Sequence, residues 1–261
     1  MIHLEDEAGD VIKKARRGRG MASGDAAALA GVSEDDLVAV EALTRPVTPS
    51  FRPLAEALDL RWDPLLAMAG EEGVDTILPL HVTRLPTPWG SFTYVVDTGD
   101  GVVVIDPAVP PAVLGEALSG KRLAATLLTH HHQDHVATVD VLAGRAPVFA
   151  HPDLAAQVGG EGWTAGERFG FLPIPAPGHA EDGVAFFGHG ILVTGDALFA
   201  RSAGGAPTPE RYAEVLATVG HLLAQDGAAV VLPGHGGTST IAMERRLNPF
   251  LPASSPLAVP S

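Results

Sequence analysis

A chain of 261 residues has room for one large domain, or for a medium one and a small one. With 46% hydrophobic and 18% charged residues it has a folded protein's composition. The absence of cysteine excludes disulfides, a Cys nucleophile and thiolate metal ligation, and fits a cytoplasmic location. A formal net charge of −14 argues against nucleic acid and anionic membranes as partners.

Residues 1–7 are acidic and hold no continuous apolar stretch, so no secretory signal is expected. No segment approaches the roughly 18 apolar residues of a membrane span. From about Val11 to Gly70 apolar residues recur at helical spacing: Leu29 and Val32, Leu37, Val40 and Leu43, Leu54 and Leu58, Leu65 and Met68. Four or five short helices fit. Gly31 is placed to turn between two of them, and Ser33 to cap the second, with Asp36 in capping-box position. A linker at 70–75 divides a small all-α domain, 1–75, from a larger domain, 76–261.

Beyond Thr76 the texture changes to short β-branched runs separated by Gly and Pro. Strands are expected at 93–96, 102–105, 124–128, 148–150, 184–187, 191–193 and 228–232. Helices are expected between them at 112–118 and 209–223.

Four apolar runs, three of these and one shorter, end in a tight turn carrying His or Asp. Thr129-His130 follows 124–128, Thr194-Gly195-Asp196 follows 191–193, and Pro233-Gly234-His235 follows 228–232. A shorter run ending at Ile174 leads to Pro177-Gly178-His179. In sheet enzymes the carboxyl ends of strands are where ligand sites form. In His130-His131-His132-Gln133-Asp134-His135, extended backbone points His130 and His132 to one side and His131 to the other. A turn then brings Asp134 and His135 to a second position. Neutral imidazole and carboxylate suit zinc, and also iron or manganese. Three side chains per ion and a bridging carboxylate leave a position open for water, as catalysis requires.

His-x-His-x-Asp-His, then Pro-Gly-His, Gly-Asp and Pro-Gly-His resemble the ordered motifs of the metallo-β-lactamase superfamily, over about residues 77–252. The resemblance implies an α+β fold, an αββα sandwich. By position it implies one metal on His130, His132 and His179, another on Asp134, His135 and His235, and Asp196 bridging the two. Asp106, after 102–105, matches an outer carboxylate that orients ligands. Two zinc ions per chain are the expected cofactors, with iron or manganese as alternatives. A pair of ions about 3.5–4 Å apart would share a hydroxide, its pKa lowered to near 7. Asp134 is the catalytic residue expected to hold or relay its proton.

The segments Thr194-Gly195-Asp196-Ala197-Leu198-Phe199 and Pro233-Gly234-His235-Gly236, with the tail at 238–251, resemble short bacterial glyoxalase II-like proteins. That implies a small-molecule thioester or related ester as substrate, with acylglutathione as reference. Three departures stand out. Only 26 residues follow His235, too few for the C-terminal helical domain with which longer glyoxalase II enzymes hold glutathione. Arg201-Ser202-Ala203-Gly204-Gly205 replaces a typical Cys-Gly-Arg pattern. Val136-Ala137 follows the first cluster where Gly is common, and Ala180 follows His179 where Thr is common. The competing expectation is the superfamily's persulfide dioxygenase branch, with one iron on His130, His179 and Asp196. Lactonase and β-lactamase activities are lesser alternatives.

Residues 26–41 resemble the helix-turn-helix of phage-repressor-type regulators, and the resemblance extends over about 10–70. Glu34, Asp35 and Asp36 stand where such folds meet bases and phosphates. Residues 1–75 carry eight Lys or Arg against fifteen Asp or Glu, a net of −7. The run Lys13-Lys14-Ala15-Arg16-Arg17-Gly18-Arg19 either touches phosphates or forms a solvated helix face. The expectation is a degenerate motif reused for packing on the catalytic domain or for a homodimer. A DNA-binding regulator with a ligand-sensing metal domain is the alternative.

Overall fold

The computed structural model describes residues 3–69 and 78–259, so the expected linker at 70–75 lies outside the described residues. Five short helices open the chain: α1 (Ala8–Gly18), α2 (Ser23–Ala30), α3 (Glu34–Glu41), α4 (Arg52–Ala57) and α5 (Trp62–Met68). Local chemistry sets their ends. Gly31 closes α2 in the left-handed region at φ +65°, which glycine adopts without a Cβ penalty. The Ser33 hydroxyl caps α3 by accepting from Asp36 N at 3.1 Å.

A first sheet follows, with β1 (Val82–Pro86), β2 (Phe92–Asp97), β3 (Val102–Ile105), β4 (Leu123–Leu127), β5 (Val148–Ala150) and β6 (Glu161–Gly162) side by side in that order. Between them run α6 (Pro111–Ala117), α7 (Gln133–Val136), α8 (Val139–Leu142) and α9 (Pro152–Val158). The chain then builds β7 (Phe171–Pro175), β8 (Val184–Gly188) and β9 (Ile191–Gly195), followed by a small hairpin, β10 (Leu198–Phe199) and β11 (Ser202–Ala203). After α10 (Tyr212–Leu222) come β12 (Val230–Pro233), β13 (Ser239–Thr240) and α11 (Ile241–Leu247). The second sheet is ordered β13-β12-β9-β8-β7.

The alternation of apolar residues on each strand decides the layering. Val103, Ile105 and Leu127 of the first sheet bury against Phe171, Phe186, Val193 and Leu232 of the second. The opposite face of the first sheet, Val95, Val102 and Val104, lies under Leu114, Leu118 and Leu142 of its helices and their ends. Ala185, Leu192 and Val231, on the outer face of the second sheet, share one core with Val215, Val219 and Leu222 of α10. That core also takes in Ile12, Leu37, Leu54 and Leu65 of the N-terminal helices. The result is an αββα sandwich with the helical N-terminal region packed on its second sheet. Among the described residues no helix is long and apolar enough to cross a membrane.

Strand β1 was absent from the expected set. Its Arg84 and terminal Pro86 mask an edge strand that, among the described residues, pairs only with β2. The basic run of α1 also turns inward. Arg16 forks onto the Glu41 carboxylate with Nε and Nη2, at 2.5 and 2.7 Å, joining α1 to α3. Lys13 Nζ donates to Glu41 O and Arg19 Nε to Leu58 O.

Behind the second sheet, Glu244 of α11 accepts from Arg201 N and from Asn248 Nδ2, each at 2.9 Å. Burial, only partly offset by Ser239, Asn248 and Arg201, pushes its carboxyl from an ordinary 4.5 up to about 7. The unfolded chain ionises first, so the fold loses about 3 kcal/mol as pH rises from roughly 4.5 through 7. Glu244→Gln should flatten that loss. Thermal unfolding across this window is the check, and an unchanged slope would contradict the assignment.

Candidate metal centre

Each candidate ligand leaves the end of a strand, as the turn signals require. His130 and His132 follow β4, His179 follows β7, Asp196 follows β9 and His235 follows β12. Asp134 and His135 sit on the single helical turn α7 rather than on an open turn, with His135 N donating to His132 O at 2.9 Å. That helix sets Asp134 and His135 beside His235, while the His135 ring stays 4.2 Å from the His130 ring, centre to centre.

The seven side chains come together in two groups. His130, His132, His179 and Asp196 form one, and Asp134, His135 and His235 form the other. Asp196 spans both: its Oδ1 lies 3.3 Å from His135 Nε2, and its Oδ2 lies 3.6 Å from both His179 Nε2 and His235 Nε2. Within the first group His132 Nδ1 is 3.0 Å from His130 Nε2 and 3.2 Å from His179 Nε2. In the second, Asp134 Oδ2 is 3.1 Å from His235 Nε2 and 3.6 Å from His135 Nε2. Four donors about 2.0–2.1 Å from a tetrahedral zinc stand roughly 3.3 Å apart, so both groups have a suitable span.

Hydrogen bonds behind the rings fix which nitrogen faces inward. Asp106 is buried and accepts from Thr129 N at 2.8 Å, Thr129 Oγ1 at 2.6 Å and His135 Nδ1 at 2.8 Å. Having donated to Asp106, the Thr129 hydroxyl accepts from His130 Nδ1 at 3.0 Å. His179 Nδ1 donates to Gly205 O at 3.1 Å. The Nε2 lone pairs of His130 and His179 therefore both face His132 Nδ1, which can carry only one proton. His135 Nε2 and Asp196 Oδ1 are buried with no hydrogen-bond partner. A cation between the donors resolves both conflicts, and the residues fit a metal.

The electrostatics agree. Burial, and then neighbouring histidines, hold His130 and His132 below the ordinary imidazole value, and burial does the same for His179. All three thus favour the neutral form a metal needs. Burial would raise the Asp196 carboxyl, but the His135 ring 3.3 Å away and then the other imidazoles drive it well below the usual range. Burial lowers His135, yet Asp106 and Asp196 outweigh it and carry the ring up to about 10. The two carboxylates demand positive charge there, and a metal must displace that proton.

His131 points away, as strand alternation requires: its Nδ1 pairs with the buried Asp182 at 2.8 Å. It lines a cavity of about 440 Å³ that opens beside His132 and His179 and is also bounded by Asp153, Asp182 and Arg211. Three supporting groups escaped the sequence reading. Thr129 relays Asp106 to His130, Ser91 Oγ donates to Asp134 O at 2.7 Å, and Gly205 offers a backbone carbonyl. Thr129 alone had a signal, its place between a strand end and His130.

A family model of the metallo-beta-lactamase superfamily matches residues 86–163. A probable metallo-hydrolase of Streptococcus pyogenes serotype M6 is 28% identical over 201 residues, covering 62% of this chain and 85% of that protein. A hydroxyacylglutathione hydrolase of Stenotrophomonas maltophilia is 34% identical over 143 residues, covering 50% of this chain and 56% of the relative. The chain thus spans about half the length of that enzyme. A solved structure, TTHA1623 in a di-iron-bound form, superposes with a TM-score of 0.56 at 32% identity, covering 67% of this chain and all, 100%, of the other.

Proposed function

The chain belongs to the metallo-β-lactamase superfamily, and on that footing we propose a dinuclear metallohydrolase that cleaves a thioester or related ester. One observation carries the reading: two complete ligand groups share Asp196 and sit beside an open cavity. His130, His132 and His179 would hold one ion, Asp134, His135 and His235 the other, with Asp196 between them. When bound, the ions would lower the pKa of a shared water toward 7 and polarise the scissile carbonyl.

The chain's own groups supply the rest. Asp106, directly and through Thr129, keeps the His135 and His130 rings aligned, so little reorganisation is needed during reaction. Asp134, about a quarter exposed, is placed to take the proton of the attacking water. The cavity beside His132 and His179 offers Arg211 and Asp153 to the non-reacting part of the substrate. The likeness to a hydroxyacylglutathione hydrolase supports an acylglutathione-type thioester.

The competing reading is a persulfide dioxygenase using one iron on His130, His179 and Asp196. Metal analysis of purified protein, paired with assays on an acylglutathione and a persulfide, separates the two. Two metals per chain with thioester cleavage and no oxygen uptake is the expected result. A single iron with persulfide-dependent oxygen uptake would reverse the choice.

We read the N-terminal helices as a packing module, not a DNA reader. Lys13, Lys14, Arg16 and Arg19 donate to groups within the fold, which leaves little of the basic run for phosphate.

A further inference from the structure

The N-terminal region reaches the metal centre at two points. At the first, the ammonium of Lys14 on α1 donates to the buried Asp6 carboxylate and to Ala203 O, the latter at 3.0 Å. Ala203 belongs to the hairpin β10–β11 that leaves Asp196, and the strap continues through Gly204 and Gly205. Gly205 O holds His179 Nδ1 at 3.1 Å. Gly204 lies so close under the site that a Cβ there would strike Asp196 O and stand 2.9 Å from His179 Cβ. The Lys14 ammonium also sits 5.1 Å from the centre of the Phe199 ring, which meets the His235 ring edge-on at 6.2 Å.

At the second point the backbone of Glu5 presses on Gly236, next to His235: a Cβ on Gly236 would lie 2.7 Å from Glu5 N. Gly236 has φ +72°, so glycine is required there on both counts. Residues 5–14 thus touch the supports of one ligand from each group, His179 and His235.

We propose that Lys14, held by Asp6, is a positioning residue of the metal centre, clamping the 202–205 strap that orients His179 and carries the chain away from Asp196. The chemistry is specific to a cation. An ammonium can serve the Asp6 carboxylate, the Ala203 carbonyl and the Phe199 face at once, and a neutral side chain of similar length cannot.

Lys14→Met alone would leave Asp6 buried and uncompensated, so the informative variant is the double Asp6→Asn/Lys14→Met. Zinc affinity, measured by chelator competition on the full-length protein, is the readout. The inference rests on the metal reading above, but this titration uses no substrate. The double variant should bind one of the two zincs about tenfold or more weakly, the size typical of losing a group that orients a ligand. Lys14→Arg should recover most of that loss. Turnover should fall through kcat with little change in KM. If the double variant only melts earlier and both zinc affinities match the unaltered protein, Lys14 is merely structural. If the unaltered protein binds no metal, the failure lies in the proposed function instead.

Discussion

Asp196→Ala should lower turnover at least a thousandfold, about 4 kcal/mol of barrier, while leaving the fold in place. The reason is its double reach. Oδ1 faces His135 Nε2, and Oδ2 faces His179 and His235, so its carboxylate reaches both groups. Removing it also withdraws the negative charge that would let two positive ions sit close together. The core clusters hold none of the seven candidate ligands, so circular dichroism should be unchanged. His132→Ala should act comparably, because its Nδ1 is the point on which His130 and His179 converge. Full activity in either variant would sink the dinuclear assignment. Metal content distinguishes the two, since Asp196→Ala should weaken both ions and His132→Ala chiefly one.

The seven converging residues were legible because each follows a strand that reads clearly, and strand ends on one edge of a sandwich must meet. Asp106, one residue beyond β3, was legible through the family resemblance, which places an outer carboxylate there. Alternation alone placed His131 outside the cluster, where it pairs with Asp182. The turn proposed for Asp134 and His135 was a helical turn instead, because four residues are too few to show a 3.6-residue period. The Lys14 contact joins residues 189 positions apart and leaves no local trace. The run around Lys14 read as a charged surface because a cation's partner is invisible until the chain folds. Gly205 contributes a carbonyl, and a backbone group carries no residue identity to read.

Asp106→Asn should cost one to two orders of magnitude in metal affinity at the Asp134–His135–His235 group, and at least as much in turnover. The aspartate takes three hydrogen bonds, all from donors: Thr129 N, Thr129 Oγ1 and His135 Nδ1. An amide has one acceptor oxygen and an NH₂ that must itself donate, so at least one of the three is opposed. The cheapest escape moves the His135 proton from Nδ1 to Nε2, letting Nδ1 accept from the new amide. That tautomer caps the nitrogen that faces Asp196 and Asp134, and metal can no longer bind there. The backbone should tolerate the change, since residue 106 sits at φ +52° and asparagine enters that region as readily as aspartate. Thr129→Val should show a milder loss at the first group, because it cuts the relay to His130 without reversing a donor. Chelator titrations of both variants resolve the two ions. Asp106→Asn protein that keeps both metals as tightly as the unaltered chain would show that Asp106 does not set the His135 tautomer.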